Sequence, residues 1–173
     1  MNSKKVSMLL IAGLFVFAII SACGDSGKTI KVGLLSSQTG PIAVYAPGFE
    51  SAASVAIDGL NASDDGNTYE LVIADSGCDG TQAATSAQSL IDSGVVGIVG
   101  AACSGATLGA IAVASEAGIP MVSYASTSAA ITNAADNGYL FRVVPSDGQQ
   151  SDALSQIVKD AGHSSPAVLF MTN

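Results

Sequence analysis

Along most of this chain, short apolar runs alternate with segments in which apolar residues are spaced three or four positions apart. Short, mostly apolar runs without regular polar alternation, such as residues 29–35 (TIKVGLL), are typical of strands buried on both faces of a parallel sheet. Between these runs, apolar residues recur every three or four positions, as in residues 47–60, and this spacing predicts helices. The predicted strands are 29–35, 69–74, 95–99, 121–123, 139–144 and 167–171, and the predicted helices are 47–60, 81–91, 104–117 and 147–161.

The order of these elements predicts the fold class. Strands without polar alternation, separated by helices and short connections, are typical of an α/β protein with a doubly wound parallel sheet covered by helices on both faces. Pro47 stands near the first turn of its predicted helix, and Gly118 follows the end of another. Both residues suit those positions, because proline fits the start of a helix and glycine its end.

The N-terminal segment has a different pattern. Lys4 and Lys5 precede a 13-residue apolar stretch, residues 8–20, which is shorter than the roughly 20 residues that a membrane-spanning helix needs. The sequence ISAC at residues 20–23 has the spacing of a bacterial lipoprotein cleavage box. Together these features are typical of an export signal.

We therefore predict that residues 1–22 are a lipoprotein signal peptide and that Cys23 is the lipidation site. The small polar residues 23–27 would then form a tether to the membrane. An uncleaved N-terminal anchor is the alternative. Removal of the signal leaves 151 residues, enough for one domain with a hydrophobic core.

Charge narrows the possible partners. The chain has 6 Lys and Arg against 14 Asp and Glu, and loss of Lys4 and Lys5 with the signal leaves 4 against 14, or a net charge of −10. So acidic a surface argues against nucleic acid or an anionic membrane surface as a partner. The net charge says little about a small ligand, because binding in a buried site depends on the local groups more than on the charge of the whole protein.

Two cysteines remain once Cys23 is assigned to the lipid. Cys78 comes just after one predicted strand, and Cys103 comes at the end of the next. A pair of cysteines behind an export signal is typical of a disulfide formed in an oxidising compartment.

Hydroxyl-rich loops follow three of the predicted strands. In doubly wound sheets, ligands bind beyond the carboxyl ends of the strands. The loops there are residues 37–41 (SQTGP), 103–105 (CSG) and 123–127 (SYAST). Ser104 stands where a helix begins, which suits an anion, and a carboxylate suits it better than a phosphate because no phosphate-binding glycine motif is present. The alternative is that Ser104 only caps its helix.

Catalytic and metal chemistry have little support in the sequence. A hydrolase that used Cys103 or Ser104 would need a histidine base, and the one histidine, His163, lies in a turn before the last predicted strand. A disulfide-bonded cysteine would also not be nucleophilic. Residues 64–67 (DDGN) are typical of a turn, because the later ligands of a calcium loop are missing. We expect no enzyme activity, no metal site and no cofactor.

Several short motifs at these loops resemble a known family. The chain from about residue 28 to 173 resembles the branched-chain amino-acid (leucine/isoleucine/valine) substrate-binding proteins of ABC transporters, which have the type I periplasmic binding fold. The matching motifs are residues 30–32, Gly40-Pro41 with Tyr45, Cys78-Asp79 with Gln82-Ala83, Cys103-Ser104, and Ser123 with Ala125 and Thr127.

The resemblance implies a set of ligand contacts. In that family the two cysteines pair, the residues equivalent to Ser104, Ala125 and Thr127 hold the α-carboxylate and α-ammonium groups of the ligand, and the loop tyrosine maps onto Tyr45. Tyr124 and Ser126 depart from the residues usual in the family, which could change the floor of the pocket.

The resemblance also implies a domain organisation and a cellular role. Residues 28–144 correspond to the N-terminal ligand-binding lobe, and residues 145–173 to the crossover and the beginning of a second lobe, so the sequence is expected to be the N-terminal part of a longer protein. The implied function is capture of a small amino acid outside the cytoplasm and its delivery to ABC permease subunits. The alternative is a ligand-sensing receptor ectodomain with the same fold.

Overall fold

A parallel sheet of five strands, in the order β2-β1-β3-β4-β5, forms the centre of the molecule. The structure, a computed structural model, describes residues 27–63 and 65–169. The strands are β1 (Thr29–Ser36), β2 (Thr68–Asp75), β3 (Val95–Val99), β4 (Met121–Ser123) and β5 (Leu140–Arg142). The helices are α1 (Ala46–Asn61), which follows a 3-10 turn at Ala43–Tyr45, α2 (Gly80–Asp92), α3 (Ser104–Glu116), α4 (Ala129–Thr132) and α5 (Asp147–Asp160).

The strand order reverses direction at β1. The chain passes from β1 outward to β2, then returns past β1 to β3 and continues to β4 and β5. Because such crossovers are right-handed, the reversal sends α1 to one face of the sheet and α2 and α3 to the other. The prediction of a doubly wound parallel sheet is therefore confirmed.

Polar residues at the helix starts explain where two of the helices begin. The Asp79 side chain accepts a hydrogen bond from the Gln82 backbone N–H at 2.8 Å and so caps α2. At the start of α5, Ser146 and Gln149 form a reciprocal capping box. Each cap satisfies N–H groups that have no acceptor within the helix.

The main core lies between the sheet and the pair α2 and α3. Large strand residues such as Leu35, Ile98 and Met121 are buried there against small helix residues. Alanine on the helices lets them approach the sheet and each other closely. The helix alanines of this core are Ala83, Ala87, Ala106, Ala110 and Ala114, and Ala101 joins them from the segment between β3 and α3.

The contact between α2 and α3 leaves no room for side chains at two glycines. A β-carbon on Gly109 would overlap the backbone carbonyl of Gly80, and one on Gly80 would lie 3.1 Å from the carbonyl oxygen of Gly105. Beside this contact, Cys78 and Cys103 form a disulfide with a Cα–Cα distance of 5.3 Å, as predicted. The two helix starts are therefore held together by backbone packing and by a covalent bond.

The other face of the sheet carries an apolar groove of about 410 Å³ beside α1. Strand residues Val32, Leu34 and Val99 line one wall, and apolar residues of α1 line the other. Tyr124 and Phe49 also line this groove, so it lies next to the loops at the carboxyl ends of the strands.

One predicted strand does not form in the part of it that the structure describes. Residues 167–169, the described part of the strand predicted at 167–171, have no regular structure, and Val168 and Leu169 are 77% and 99% exposed. An apolar run becomes a strand only when a neighbouring strand accepts its hydrogen bonds, and within the described residues no strand pairs with this run. β5 is also shorter than predicted, and α4 was not predicted.

The predicted signal peptide, the lipidation site Cys23 and the tether up to residue 26 lie outside the described residues. Within residues 27–63 and 65–169, no helix has both the length and the hydropathy that crossing a membrane requires.

Gly109→Ala should lower the free energy of unfolding by about 1–3 kcal/mol, because the added methyl group meets backbone that cannot move aside easily. Gly59→Ala is the matched control: it lies within α1, where an added β-carbon meets no atom within 4 Å. That control should raise stability by about 0.5–1 kcal/mol through helix propensity. Urea denaturation measures both values, and equal stabilisation by the two variants would contradict the close contact.

Replacing Cys78 and Cys103 together by serine should lower the free energy of unfolding by about 3.5 kcal/mol, the chain-entropy value for cysteines that are 25 residues apart. Urea denaturation with and without dithiothreitol measures the effect. The reductant should destabilise the native protein and leave the double variant unchanged. Peptide mapping without reduction tests the bond itself, and two free thiols in protein isolated from outside the cytoplasm would contradict it.

Candidate functional site

Four loops meet where the strands end, at the carboxyl edge of the sheet. We call them loop 1 (residues 37–42), loop 2 (76–79), loop 3 (100–103) and loop 4 (124–128); they follow β1, β2, β3 and β4. Because all strands are parallel, all four loops lie at the same edge, which is where doubly wound sheets bind ligands.

Ser104 is the first residue of α3, and Cys103 occupies the N-cap position without a side-chain cap. The Ser104 Oγ instead accepts a hydrogen bond from the backbone N–H of Ser128 at 3.2 Å. The alternative in which Ser104 serves only as a helix cap therefore does not describe this arrangement. Since the oxygen accepts from loop 4, the hydroxyl proton is available to another acceptor.

The start of α3 offers further features that suit an anion. The first N–H groups of a helix have no acceptor within it, and the helix dipole places partial positive charge there. A β-carbon on the next residue, Gly105, would meet no atom within 4 Å, so space is open beside the first turn. The Ser104 hydroxyl and this helix start therefore offer hydrogen-bond donors and partial positive charge of the kind that suits a carboxylate.

Loop 4 is fixed to loop 3 by a buried group of hydroxyls. Ser126 is fully buried, and its Oγ lies 2.8 Å from the Thr107 Oγ1 and 3.2 Å from the carbonyl oxygens of Ala101 and Ala102. Ser123 donates to the same Ala101 carbonyl at 2.7 Å. The sequence analysis named Ser126 as a residue that could change the floor of the pocket. In the structure, its side chain joins the two loops.

Ala125 and Thr127, on either side of Ser126, are half-buried. The backbone carbonyl of Thr127 accepts hydrogen bonds from the Asp147 N–H at 2.8 Å and from Arg142 at 3.4 Å. Arg142 also donates to the Ser128 carbonyl at 3.0 Å. Loop 4 is thus held on both sides, by loop 3 and by the segment that follows it.

Tyr45 belongs to an aromatic row and not to the hydrogen-bonded segments that contain Ser104, Ala125 and Thr127. It is 62% exposed, and its ring centre is 6.4 Å from that of Phe49, which is 4.8 Å from that of Tyr124. This aromatic row connects the turn after loop 1 with loop 4. The structure therefore brings Ser104, Ala125 and Thr127 together, because a hydrogen bond joins the start of α3 to loop 4. Tyr45 lies beyond Phe49 at the exposed end of the aromatic row, which we call the rim of the site.

Tyr124, the last ring of this row, provides an uncharged hydrogen-bond donor. Its hydroxyl donates to the Leu35 carbonyl at 3.1 Å. Burial, with a smaller contribution from the nearby Glu50 carboxylate, raises the pKa of Tyr124 to about 12. The phenol is therefore protonated at neutral pH and keeps this hydrogen bond.

Asp75, at the end of β2, is a residue that the sequence did not single out. Its carboxylate accepts hydrogen bonds from both the backbone N–H and the hydroxyl of Thr39 in loop 1, from the Gly77 N–H in loop 2, and from Gln82. Burial alone would raise the pKa of Asp75, but these hydrogen bonds outweigh it and hold that pKa below its usual range. No sequence signal connects Asp75 with Thr39, because they are 36 residues apart.

The described residues bear on two of the chemistries considered from the sequence, a cysteine nucleophile and a metal site. The sulfur of Cys103 is bonded to Cys78 and cannot act as a thiolate nucleophile. Among the residues that the structure describes, no three His, Cys, Asp or Glu side chains are grouped in a way that could hold a metal ion.

Comparison with known proteins agrees with this geometry. The periplasmic binding protein family model matches residues 29–173. A leucine-, isoleucine-, valine-, threonine- and alanine-binding protein of Pseudomonas aeruginosa is 31% identical over 162 residues, which cover 91% of this chain and 41% of that protein.

Two solved structures are also similar. The substrate-binding protein of a branched-chain amino acid transporter from Streptococcus pneumoniae, in complex with isoleucine, has a TM-score of 0.69 and 33% identity over 76% of this chain and 38% of its own. An ABC transporter solute-binding protein from Rhodopseudomonas palustris, in complex with 3,4-dihydroxybenzoic acid, has a TM-score of 0.69 and 25% identity over 78% of this chain and 37% of its own.

These relatives are binding proteins and not enzymes. The Pseudomonas and Streptococcus proteins confirm the resemblance to branched-chain amino-acid binding proteins. The chain spans about two fifths of the length of the relatives that it matches. With the family model matching residues 29–173, the chain belongs to the periplasmic binding protein family.

Proposed function

We propose that this chain is the N-terminal part of an extracytoplasmic solute-binding lipoprotein of an ABC importer. The protein captures a small amino acid, branched-chain or related, and delivers it to the permease subunits. Residues 28–144 form its first lobe, and residues 145–173 form the crossover and the beginning of the second. Family membership supports this proposal, as does the length of the relatives, of which the chain covers 41% and 38%.

The observation that carries the proposal is the hydrogen bond between the Ser104 hydroxyl and the backbone of Ser128. It joins a helix start that suits a carboxylate to a loop whose Ala125 carbonyl and Thr127 hydroxyl suit an ammonium group. The two charged groups of an α-amino acid are one carbon apart and need complementary partners on adjacent segments. Hydrogen bonds to such charged groups are among the strong ones in proteins.

Tyr45 would cover the side chain of the ligand from the rim of the site. Its exposed ring is available to a ligand or to the second lobe, and the contact with Phe49 restricts its position. Closure of the second lobe over the ligand would bury these groups and present a changed surface to the permease.

The export signal and the lipoprotein box support a location on the outer side of the cell membrane, with a lipid on Cys23 as the anchor. The lipid also favours transport over the receptor alternative, because a tethered protein has no need of a second membrane anchor. A transmembrane helix followed by a signalling domain downstream of residue 173 would favour the receptor.

Ser104→Ala and Thr127→Ala should each weaken amino-acid binding by about 10-fold to 150-fold, the range for loss of a hydrogen bond to a charged group. Calorimetry of the longer protein against leucine, isoleucine, valine and other neutral amino acids measures the affinities. Ser89→Ala and Thr85→Ala are matched controls on the exposed surface of α2 and should leave the affinity unchanged.

The same variants distinguish an amino acid from an aromatic acid such as the ligand of the Rhodopseudomonas relative. Both ligand classes have a carboxylate, but only the amino acid has an ammonium group. An aromatic acid would lose affinity with Ser104→Ala and keep it with Thr127→Ala. Unchanged affinity for the best ligand in both variants would show that the site is assigned wrongly.

Mass spectrometry of protein extracted from membranes should find Cys23 as the first residue, carrying a diacylglycerol group. Cys23→Ser should abolish the lipid adduct, because serine has no thiol to carry the diacylglycerol group. An intact Met1 together with an unmodified Cys23 would contradict the lipoprotein proposal.

A further inference from the structure

The Asp75 carboxylate lies between two loops of the carboxyl edge and accepts bonds from both. From loop 1 come the Thr39 backbone N–H at 3.1 Å and the Thr39 hydroxyl at 2.5 Å. From the loop 2 side come the Gly77 N–H at 2.9 Å and the Gln82 side-chain amide at 3.0 Å. Two oxygens thus receive four hydrogen bonds, all from neutral donors.

Loop 1 is pressed against loop 2 around this carboxylate. A β-carbon on Gly40, whose φ is +87°, would overlap the Gly77 carbonyl, so a side chain at this position is excluded. Ser37 and Ser76 bond through their buried hydroxyls at 3.1 Å. Asp75 is the charged acceptor within this contact, and charge-assisted bonds are about twice as strong as neutral ones.

Loop 2 is itself fixed, whereas loop 1 leads directly to the rim of the site. The Cys78–Cys103 disulfide attaches loop 2 to loop 3, next to Ser104. Loop 1 continues into the 3-10 turn that contains Tyr45. Any movement of Thr39 away from loop 2 would therefore shift Tyr45 relative to Ser104.

We propose that Asp75 is a positioning residue for the ligand site: its ionised carboxylate holds loop 1 on the disulfide-anchored loop 2 and so sets the place of Tyr45. This inference rests on the proposed function, and it adds a residue that does not itself touch the ligand. The simpler alternative is that Asp75 has only a structural role, in which its hydrogen bonds to Gly77 and Gln82 stabilise the turn before α2.

Asp75→Asn tests the proposal, because an amide is nearly the same shape but cannot accept all four hydrogen bonds. Asp79→Asn is the matched control: it removes the same charge four residues away, where the Asp79 side chain caps α2 and asparagine caps equally well. Both variants are made in the longer protein with its second lobe, and affinities are measured where urea titration shows each variant to be fully folded.

We expect Asp75→Asn to weaken binding of the best neutral amino acid by about 5-fold to 30-fold at pH 7, and Asp79→Asn to stay within about 2-fold, as expected for the loss of loop-anchoring bonds. Hydrogen exchange should accelerate at the Thr39 amide in the first variant and not in the second. Exchange within β3 should be the same in all three proteins.

Thr39→Val provides a second test if Asp75→Asn does not fold. It removes the hydroxyl donor and leaves Asp75 ionised, so it should also weaken binding and accelerate exchange in loop 1. A folded Asp75→Asn or Thr39→Val protein with normal affinity and normal exchange at residue 39 would overturn the inference. Lower stability with normal affinity would also overturn it, because that result describes the simpler structural role.

The exchange measurement separates this inference from the proposed function. If the native protein binds no amino acid, the proposed function fails, whatever Asp75 does. If the native protein binds an amino acid but the Asp75 and Thr39 variants change neither hydrogen exchange in loop 1 nor the affinity, the proposed function stands and the positioning role of Asp75 is wrong.

Discussion

The close contact of α2 with α3 fixes the position of Ser104, on which the proposed ligand site depends. Gly80 and Gly109 let the two backbones touch, and the Cys78–Cys103 disulfide joins the loops that precede the helices. The position of Ser104 follows from this contact, because Ser104 comes directly after Cys103 and opens α3. A larger residue at either glycine would move the helix start that is suited to the ligand carboxylate.

From that contact, cross-links extend along the whole carboxyl edge. Asp75 bonds loop 1 to loop 2, and the disulfide bonds loop 2 to loop 3. Ser126 bonds loop 4 to loop 3, and Ser104 bonds the start of α3 to loop 4. Arg142 then holds loop 4 from its other side. A site built this way is arranged before the ligand arrives, so less of the binding free energy is lost in ordering it.

The sequence predicted features that depend on local pattern and on counting. Buried parallel strands have continuous apolar runs, so β1 and β3 were found within a residue, and the cysteine pair followed from assigning Cys23 to the lipid. Ser104 was chosen as a candidate because loops after parallel strands must share one edge, and the structure places it at that edge.

Features that depend on distant partners could not be predicted in this way. The bond between Asp75 and Thr39 joins residues 36 apart, and the burial of Ser126 depends on Thr107 of another element. Residues 167–169 have the composition of a strand but lack a pairing neighbour among the described residues.

A crystal structure of the longer protein with its bound ligand tests the central claim most directly. The account predicts the ligand carboxylate at the Ser104 hydroxyl and the start of α3, with the ammonium group at the Ala125 carbonyl and the Thr127 hydroxyl. A ligand bound in the apolar groove beside α1, or one with its charged groups away from loops 3 and 4, would contradict it.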